Sequence, residues 1–228
     1  MLTASSADLA LLCLAAYLLG SIPFGLVVGR VVRGVDLRQV GSGNIGAANA
    51  FRSLGAPLGV AVLALDAVKG YLPVTLAGTM FALLGRAGSP CPATAQVLVG
   101  VSAIVGHNSS IYLRFKGGKG IATMFGVLLA MSPTATLVAA LVWAVALALT
   151  RYASVGSLCA AASIPVYFAW SGAPSPHLMF GVVACAMAFV RHRSNIRNLI
   201  AGRELRFGAG GQGSSPAGET AEGMKAAP

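Results

Sequence analysis

The chain has 228 residues, of which 56% are hydrophobic and only 10% charged, and 16 Lys or Arg against 6 Asp or Glu give it a formal net charge of +10. A soluble domain carries about a quarter charged residues, so a soluble globular fold is excluded and an all-α polytopic membrane protein is implied. No soluble basic domain remains to present to a nucleic acid, so the positive charge is not a nucleic-acid footprint.

The first apolar stretch runs from Leu9 to Val32, broken by Ser21 and Pro23, and predicts a span at 8–30. Asp8 and the absence of Lys or Arg before it do not fit the basic n-region of a cleaved signal, so it reads as a retained helix. Further spans are predicted at 57–84, 94–113, 120–131, 134–150, 154–170 and 177–191, seven in all. A crossing helix needs about 20 apolar residues, so 120–131 is short enough to be re-entrant. Ser132-Pro133 supplies the break after it. The tail from Phe207 to Pro228 is rich in Gly, Ser, Ala and Pro and too poor in apolar residues to fold, which divides the chain into a membrane domain at 1–206 and a disordered appendage at 207–228.

With seven spans, one side holds Arg30, Arg33, Arg38, Arg52, Arg114, Lys116, Lys119, Arg151, Arg191, Arg193, Arg197, Arg203, Arg206 and Lys225, and the other only Arg86. The positive-inside rule then places the C-terminus in the cytoplasm and the N-terminus outside. Cys13, Cys159 and Cys185 fall in apolar spans, Cys91 lies in a short loop, and no disulfide or metal-ligand spacing is present.

Three polar constellations fall on the basic side. Gly41-Ser42-Gly43-Asn44-Ile45-Gly46 precedes a segment ending in Arg52. Glycines at this spacing allow tight turns that expose N–H groups to an anion; Ser42 and Asn44 add short donors, and Arg52 can fork onto phosphate oxygens. The residues after Gly46 can open a helix whose N-terminus also favours an anion. A flexible loop is the alternative, and it needs no such density of Gly, Ser, Asn and Arg. Arg114-Phe115-Lys116-Gly117-Gly118-Lys119-Gly120, preceded by Gly106-His107-Asn108, again sets glycines around a lysine, without the Walker spacing of a nucleotide loop. Arg191-His192-Arg193-Ser194-Asn195-Ile196-Arg197 closes the last span. Its arginines suit lipid headgroups, whereas His192 and Asn195, three apart, are better explained as site residues.

Smaller signals accompany these. Asp66 and Lys69 share a face inside a span, where an ionisable pair is either functional or a mutual neutralisation. Ser154 and Ser157 can cap a helix or touch a ligand. His107 reads as a helix-packing hydrogen bonder and His177 as incidental. No His-x4-Asp, no Gly-x-Ser-x-Gly elbow, no Cys–His pair and no acidic cluster for Mg²⁺ is found.

Together with Gly20-Ser21-Ile22-Pro23, Leu65-Asp66, Lys69-Gly70 and Ala201-Gly202, these motifs resemble the bacterial acyl-phosphate:glycerol-3-phosphate acyltransferase family (PlsY type), in family order across residues 17–204. The resemblance implies a seven-helix enzyme of the bacterial inner membrane, with its active site on the cytoplasmic side. Such an enzyme moves a fatty acyl group from acyl phosphate to glycerol 3-phosphate, giving lysophosphatidic acid and inorganic phosphate, the first acylation step of phospholipid synthesis. It uses no acyl-CoA, cofactor or metal, and its partners are the two substrates and membrane lipid. Matched by motif, Ser42, Arg52, Lys119 and His192 are the expected catalytic residues, and Gly41, Gly43, Asn44, Gly117, Gly118, Ser157 and Asn195 the expected substrate-binding ones. Ala48 stands where the family often has Thr, and Ser194 where it often has Glu.

Two phosphorylated substrates account for a cationic, Gly-rich pocket, and a pre-activated acyl donor accounts for the lack of a nucleophile. The hydroxyl proton can pass to His192 or to the departing phosphate, and the latter is favoured. The competing classes are a transporter of a phosphorylated small molecule and a lipid-binding scaffold. The absence of an internal repeat and the one-sided polar residues speak against the transporter, and the two glycine loops against the scaffold.

Overall fold

The computed structural model describes residues 4–85 and 89–208, so Arg86, Lys225 and positions 209–228 of the expected appendage lie outside the described residues. Among those described, the chain forms ten α-helices and one 3-10 turn and no strand. They are α1 (Ser6–Ser21), α2 (Phe24–Arg33), α3 (Ala47–Leu54), α4 (Ala56–Leu84), α5 (Pro92–Asn108), the turn at Ile111–Leu113, α6 (Ile121–Met131), α7 (Pro133–Thr150), α8 (Ala153–Trp170), α9 (Ser175–Arg191) and α10 (Arg193–Ile200).

Local chemistry sets the helix ends. Ser5 caps α1 by a reciprocal box, with the Asp8 N–H donating to Ser5 Oγ at 3.3 Å and the Ser5 N–H to Asp8 Oδ2 at 2.8 Å. Asp8 is therefore the third residue of α1, which starts two residues before the predicted span. Ser132 caps α7 by the simpler one-way bond, its Oγ accepting from the Ala135 N–H.

The first predicted span is not one helix. Pro23 removes an amide and pushes Ile22 into extended backbone, so α1 stops at Ser21 and α2 begins at Phe24, with two residues between. The break is filled from distant residues: Lys69 Nζ on α4 donates to the Ile22 carbonyl at 2.7 Å, and Ser110 Oγ donates to the Ser21 carbonyl at 2.5 Å. The segment expected at 94–113 likewise ends as α-helix at Asn108 and continues as a 3-10 turn.

Among the described residues, four helical segments are long and apolar enough to cross a membrane: 6–33 taken through its break, α4, α7 and α8. The shorter α6, at 11 residues, is about 16 Å long, roughly half the hydrocarbon thickness. Large apolar side chains such as Leu137, Leu141 and Val145 on α7 face outward, as a lipid-covered surface requires. Close helix contacts rest on missing side chains. A Cβ on Gly20 would strike the Ala103 carbonyl and one on Gly106 the Tyr17 carbonyl, so α1 and α5 touch through backbone. Gly70 and Gly126 do the same for α4 and α6. A second, smaller core of Leu37, Ala50, Leu54 and Val62 holds α3 and the loop before it against the start of α4.

Candidate active site

The loop before α3 winds around one buried side chain. Asn49 Nδ2 lies within hydrogen-bonding distance of the carbonyls of Leu37 (3.0 Å), Val40 (3.1 Å) and Asn44 (2.9 Å), and its Oδ1 accepts from the Ser42 N–H at 2.9 Å. Gly41 and Gly43 have φ of 58° and 68°, the left-handed region that the winding needs. The Gly43 N–H goes to the Val40 carbonyl and the Gly46 N–H to Asn44 Oδ1. Sequence reasoning assigned these amides to an anion, but the amides of Ser42, Gly43 and Gly46 serve the loop itself. The side chains of Ser42 and Arg52 both border the cavity described below.

The second glycine loop is clamped from two sides. The Gly118 N–H donates to the His107 carbonyl at 3.0 Å, while the Arg191 guanidinium donates to the carbonyls of Gly117 (2.9 Å) and Gly118 (2.8 and 3.0 Å). A Cβ on Gly117 would collide with the His107 carbonyl, and one on Gly118 with the His107 imidazole. Gly117 and Gly118 therefore do not line the cavity; they sit behind it and aim Lys119 into it. Arg191, read from sequence as a headgroup-facing arginine, is a clamp on this loop. Gly118→Ala forces the loop off His107 and is expected to lower turnover about a hundredfold, with folded yield retained, as a displaced charge near 1 Å does. Turnover and melting temperature on the same preparation check this.

Lys119, largely enclosed, has its pKa pushed down to about 8, chiefly by burial; Glu204 opposes the shift, and the neighbouring charges of Arg52 and Arg191 add to it. His192 sits at the junction of α9 and α10. Its Nδ1 is 2.8 Å from the Ala188 carbonyl, which can only accept, so Nδ1 carries the proton and Nε2 is left as an acceptor. Burial, then the charge of Lys119, depresses its pKa to about 4 and keeps the ring neutral. Ser154 Oγ donates to Glu204 Oε1 at 2.7 Å and Asn195 Nδ2 to the same oxygen at 2.6 Å. Ser157 Oγ donates back to the Ala153 carbonyl at 2.8 Å, and neither serine caps α8.

One cavity of about 530 Å³ gathers Gly41, Ser42, Gly43, Asn44, Arg52, Lys119, Ser157, His192 and Asn195 from five separate stretches of chain. Asp66 and His107 line it as well, with His107 Nδ1 3.7 Å from Asp66 Oδ1. Beside it lies an apolar cavity of about 180 Å³ between α4, α6, α7 and α8, and both are bordered by Leu63, Ile121, Ala122, Trp143 and Ser157.

Residues 10–202 match the family model described as Glycerol-3-phosphate acyltransferase. The chain belongs to that family. It is 46% identical over 193 residues to the glycerol-3-phosphate acyltransferase of Desulforudis audaxviator, covering 84% of this chain and 92% of the relative. With that of Anaeromyxobacter sp. strain Fw109-5 it shares 47% over 194 residues, covering 85% and 93%. Among solved structures it resembles PlsY (YgiH), an integral membrane glycerol 3-phosphate acyltransferase, in its glycerol 3-phosphate form, with a TM-score of 0.81 and 39% identity over 88% of this chain and 96% of that one. The lysophosphatidic acid form of PlsY gives 0.79 and 38% over the same shares.

The chain is thus a membrane acyltransferase, which decides against the transporter and scaffold readings. Both positions at which it departs from the usual family pattern, Ala48 and Ser194, border the polar cavity. Sequence reasoning missed Asn49 and Glu204 and understated His107 and Arg191. Glu204 left one signal: it is the sole carboxylate between Asp66 and Glu219.

Proposed function

We propose that the chain transfers a fatty acyl group from acyl phosphate to glycerol 3-phosphate, releasing lysophosphatidic acid and inorganic phosphate. The observation that carries this reading is a cationic polar cavity bordered by an apolar one between helices. Phosphates fit the first and an acyl chain the second. The glycerol 3-phosphate and lysophosphatidic acid forms of the PlsY neighbour agree with it.

Arg52 and Lys119, with Ser42 beside them, hold the phosphates, and His192 Nε2 accepts the hydrogen bond of the attacking hydroxyl. The hydroxyl oxygen bonds to the acyl carbon, the bond from that carbon to the phosphate oxygen breaks, and the departing phosphate takes the proton. A histidine whose pKa lies near 4 orients the hydroxyl well but stores a proton poorly at neutral pH. The cations stabilise charge that builds on the leaving phosphate.

The enzyme sits in the inner membrane of a bacterium as seven segments, N-terminus outside and C-terminus cytoplasmic, with residues 1–206 as its catalytic domain; Phe207, expected to open the appendage, instead packs on that domain against Phe51, and the appendage follows it. Arg52, Lys119, Ser154 and His192 border one cavity although α4, α5, α6, α7, α8 and α9 intervene between them, which supports strict alternation with α6 carrying the chain to the far side. The basic residues of that end support its cytoplasmic placement.

Purified protein in lipid, given glycerol 3-phosphate and either palmitoyl phosphate or palmitoyl-CoA, tests the reading. Lysophosphatidic acid and inorganic phosphate are expected in equal amounts from palmitoyl phosphate alone and not with Arg52→Ala. Turnover with palmitoyl-CoA, or none with either donor in folded protein, would overturn it.

A further inference from the structure

Glu204 is an odd group to find where it is. It borders the cavity that gathers Arg52, Lys119 and His192, and a carboxylate there opposes anion binding. Its position is nevertheless built. Oε1 accepts from both Ser154 Oγ and Asn195 Nδ2, two residues that themselves border the cavity. The irregular segment carrying it is pinned on either side. The Arg203 N–H donates to the Asn198 carbonyl at 2.7 Å, the Phe207 N–H donates to the Arg151 carbonyl at 2.7 Å, and the Phe207 ring meets Phe51 edge-on at 6.1 Å.

The second oxygen is spare. Oε2 takes no hydrogen bond from any described residue, and it is not among the buried polar atoms lacking a partner. An ionised carboxylate only accepts, so neither an ionised phosphate nor the acyl carbonyl can satisfy it. A hydroxyl can. Acyl phosphate brings none, while glycerol 3-phosphate brings two, of which one is consumed as the nucleophile and one is not.

We propose that Glu204 Oε2 accepts a hydrogen bond from the non-reacting C2 hydroxyl of glycerol 3-phosphate, so that this carboxylate selects a polyol phosphate as acyl acceptor. The proposal rests on the acyltransferase reading given above. It explains why a carboxylate sits in an anion site: what it costs in charge it returns as discrimination. A site built around a substrate hydroxyl rejects an analogue lacking it, because an acceptor closed off from water by the bound substrates is then left unmet.

The test compares kcat/KM for glycerol 3-phosphate and for 3-hydroxypropyl phosphate, which lacks the C2 hydroxyl, with palmitoyl phosphate as donor in lipid. Both values come from one preparation, so their ratio does not depend on the fraction folded. Wild type is expected to prefer glycerol 3-phosphate by about 10- to 100-fold, the range of a hydrogen bond to a charged acceptor. Glu204→Gln is expected to reduce that ratio about tenfold. Glu204→Asp, which keeps the charge but withdraws it by one methylene, is expected to reduce it as well and reads the same quantity if the Gln variant does not fold. A wild-type ratio near one, or a ratio unchanged in the variants while both activities fall together, overturns the proposal and leaves Glu204 as a structural brace. Absence of wild-type turnover with glycerol 3-phosphate would instead sink the acyltransferase reading beneath it.

Discussion

Replacing Lys119 by Ala is expected to lower kcat by about 100- to 1000-fold, the cost of removing one preorganised group from developing transition-state charge. Lys119→Arg is not expected to restore it, because a planar fork is larger and differently directed than an ammonium aimed by the Gly117-Gly118 clamp. The same residue sets a pH limb. Burial pushes the Lys119 pKa down to about 8, so the free enzyme loses its ammonium, and with it the phosphate contact, as pH rises through that value. kcat/KM should therefore fall above about pH 8, a region in which substrate phosphates are already fully ionised and contribute no limb of their own. Neighbouring charges fix the direction in variants. Arg52 lowers the Lys119 pKa, so Arg52→Ala should move the limb to higher pH while depressing activity overall; Glu204 raises it, so Glu204→Gln should move the limb lower. A limb that stays put in both variants would mean that another group titrates there. pH–rate profiles of the three proteins decide it.

Much of this was legible from sequence because hydrophobic run length speaks directly about membrane helices. The predicted span 57–84 differs from α4 by one residue at its start, and 134–150 and 154–170 from α7 and α8 by one each. The break after Ser21 was not legible as a break. Whether Pro23 kinks a helix or ends it depends on what satisfies the freed carbonyls, and the donors here come from Lys69 and Ser110, 47 and 89 residues away. Glycine density correctly marked both loops but misassigned their purpose. Only the burial of Asn49 on α3 reveals that the first loop's amides turn inward, and only the approach of Arg191 reveals a clamp on the second. Glu204 follows α10 in irregular backbone, where periodicity has no hold, so only its rarity as a carboxylate could have flagged it. His107, taken as a packing residue, does pack, with its ring against Gly118, yet it also borders the cavity beside Asp66.

The largest effect on stability is expected from Lys69. Its Nζ lies 2.8 Å from Asp66 Oδ1, and both side chains are at most 2% exposed. The pair could have been a mutual neutralisation or part of the chemistry, and the geometry gives it a structural task that neither description contains: the same ammonium fills the Ile22 carbonyl at the α1–α2 break. Lys69→Met removes three things together, namely the counter-charge of a buried carboxylate, the charged donor to the half-buried Ile22 carbonyl, and the cation set 5.5 Å from the Phe24 ring centroid. Breaking a buried pair from one side costs about 3–5 kcal/mol, which for a chain of this size is a loss of about 10 °C in melting temperature. Asp66→Asn should cost less, because Lys69 keeps the Ile22 carbonyl and an amide still accepts from it. The double variant separates the tasks. If neutralisation were all, Asp66→Asn with Lys69→Met would melt near wild type; because the Ile22 carbonyl loses its shorter, charged donor and keeps only the Phe24 N–H at 3.1 Å, only part of the loss should return. Thermal unfolding of the four proteins in detergent measures this, and single variants that melt within a degree of wild type would show that the break holds without the pair.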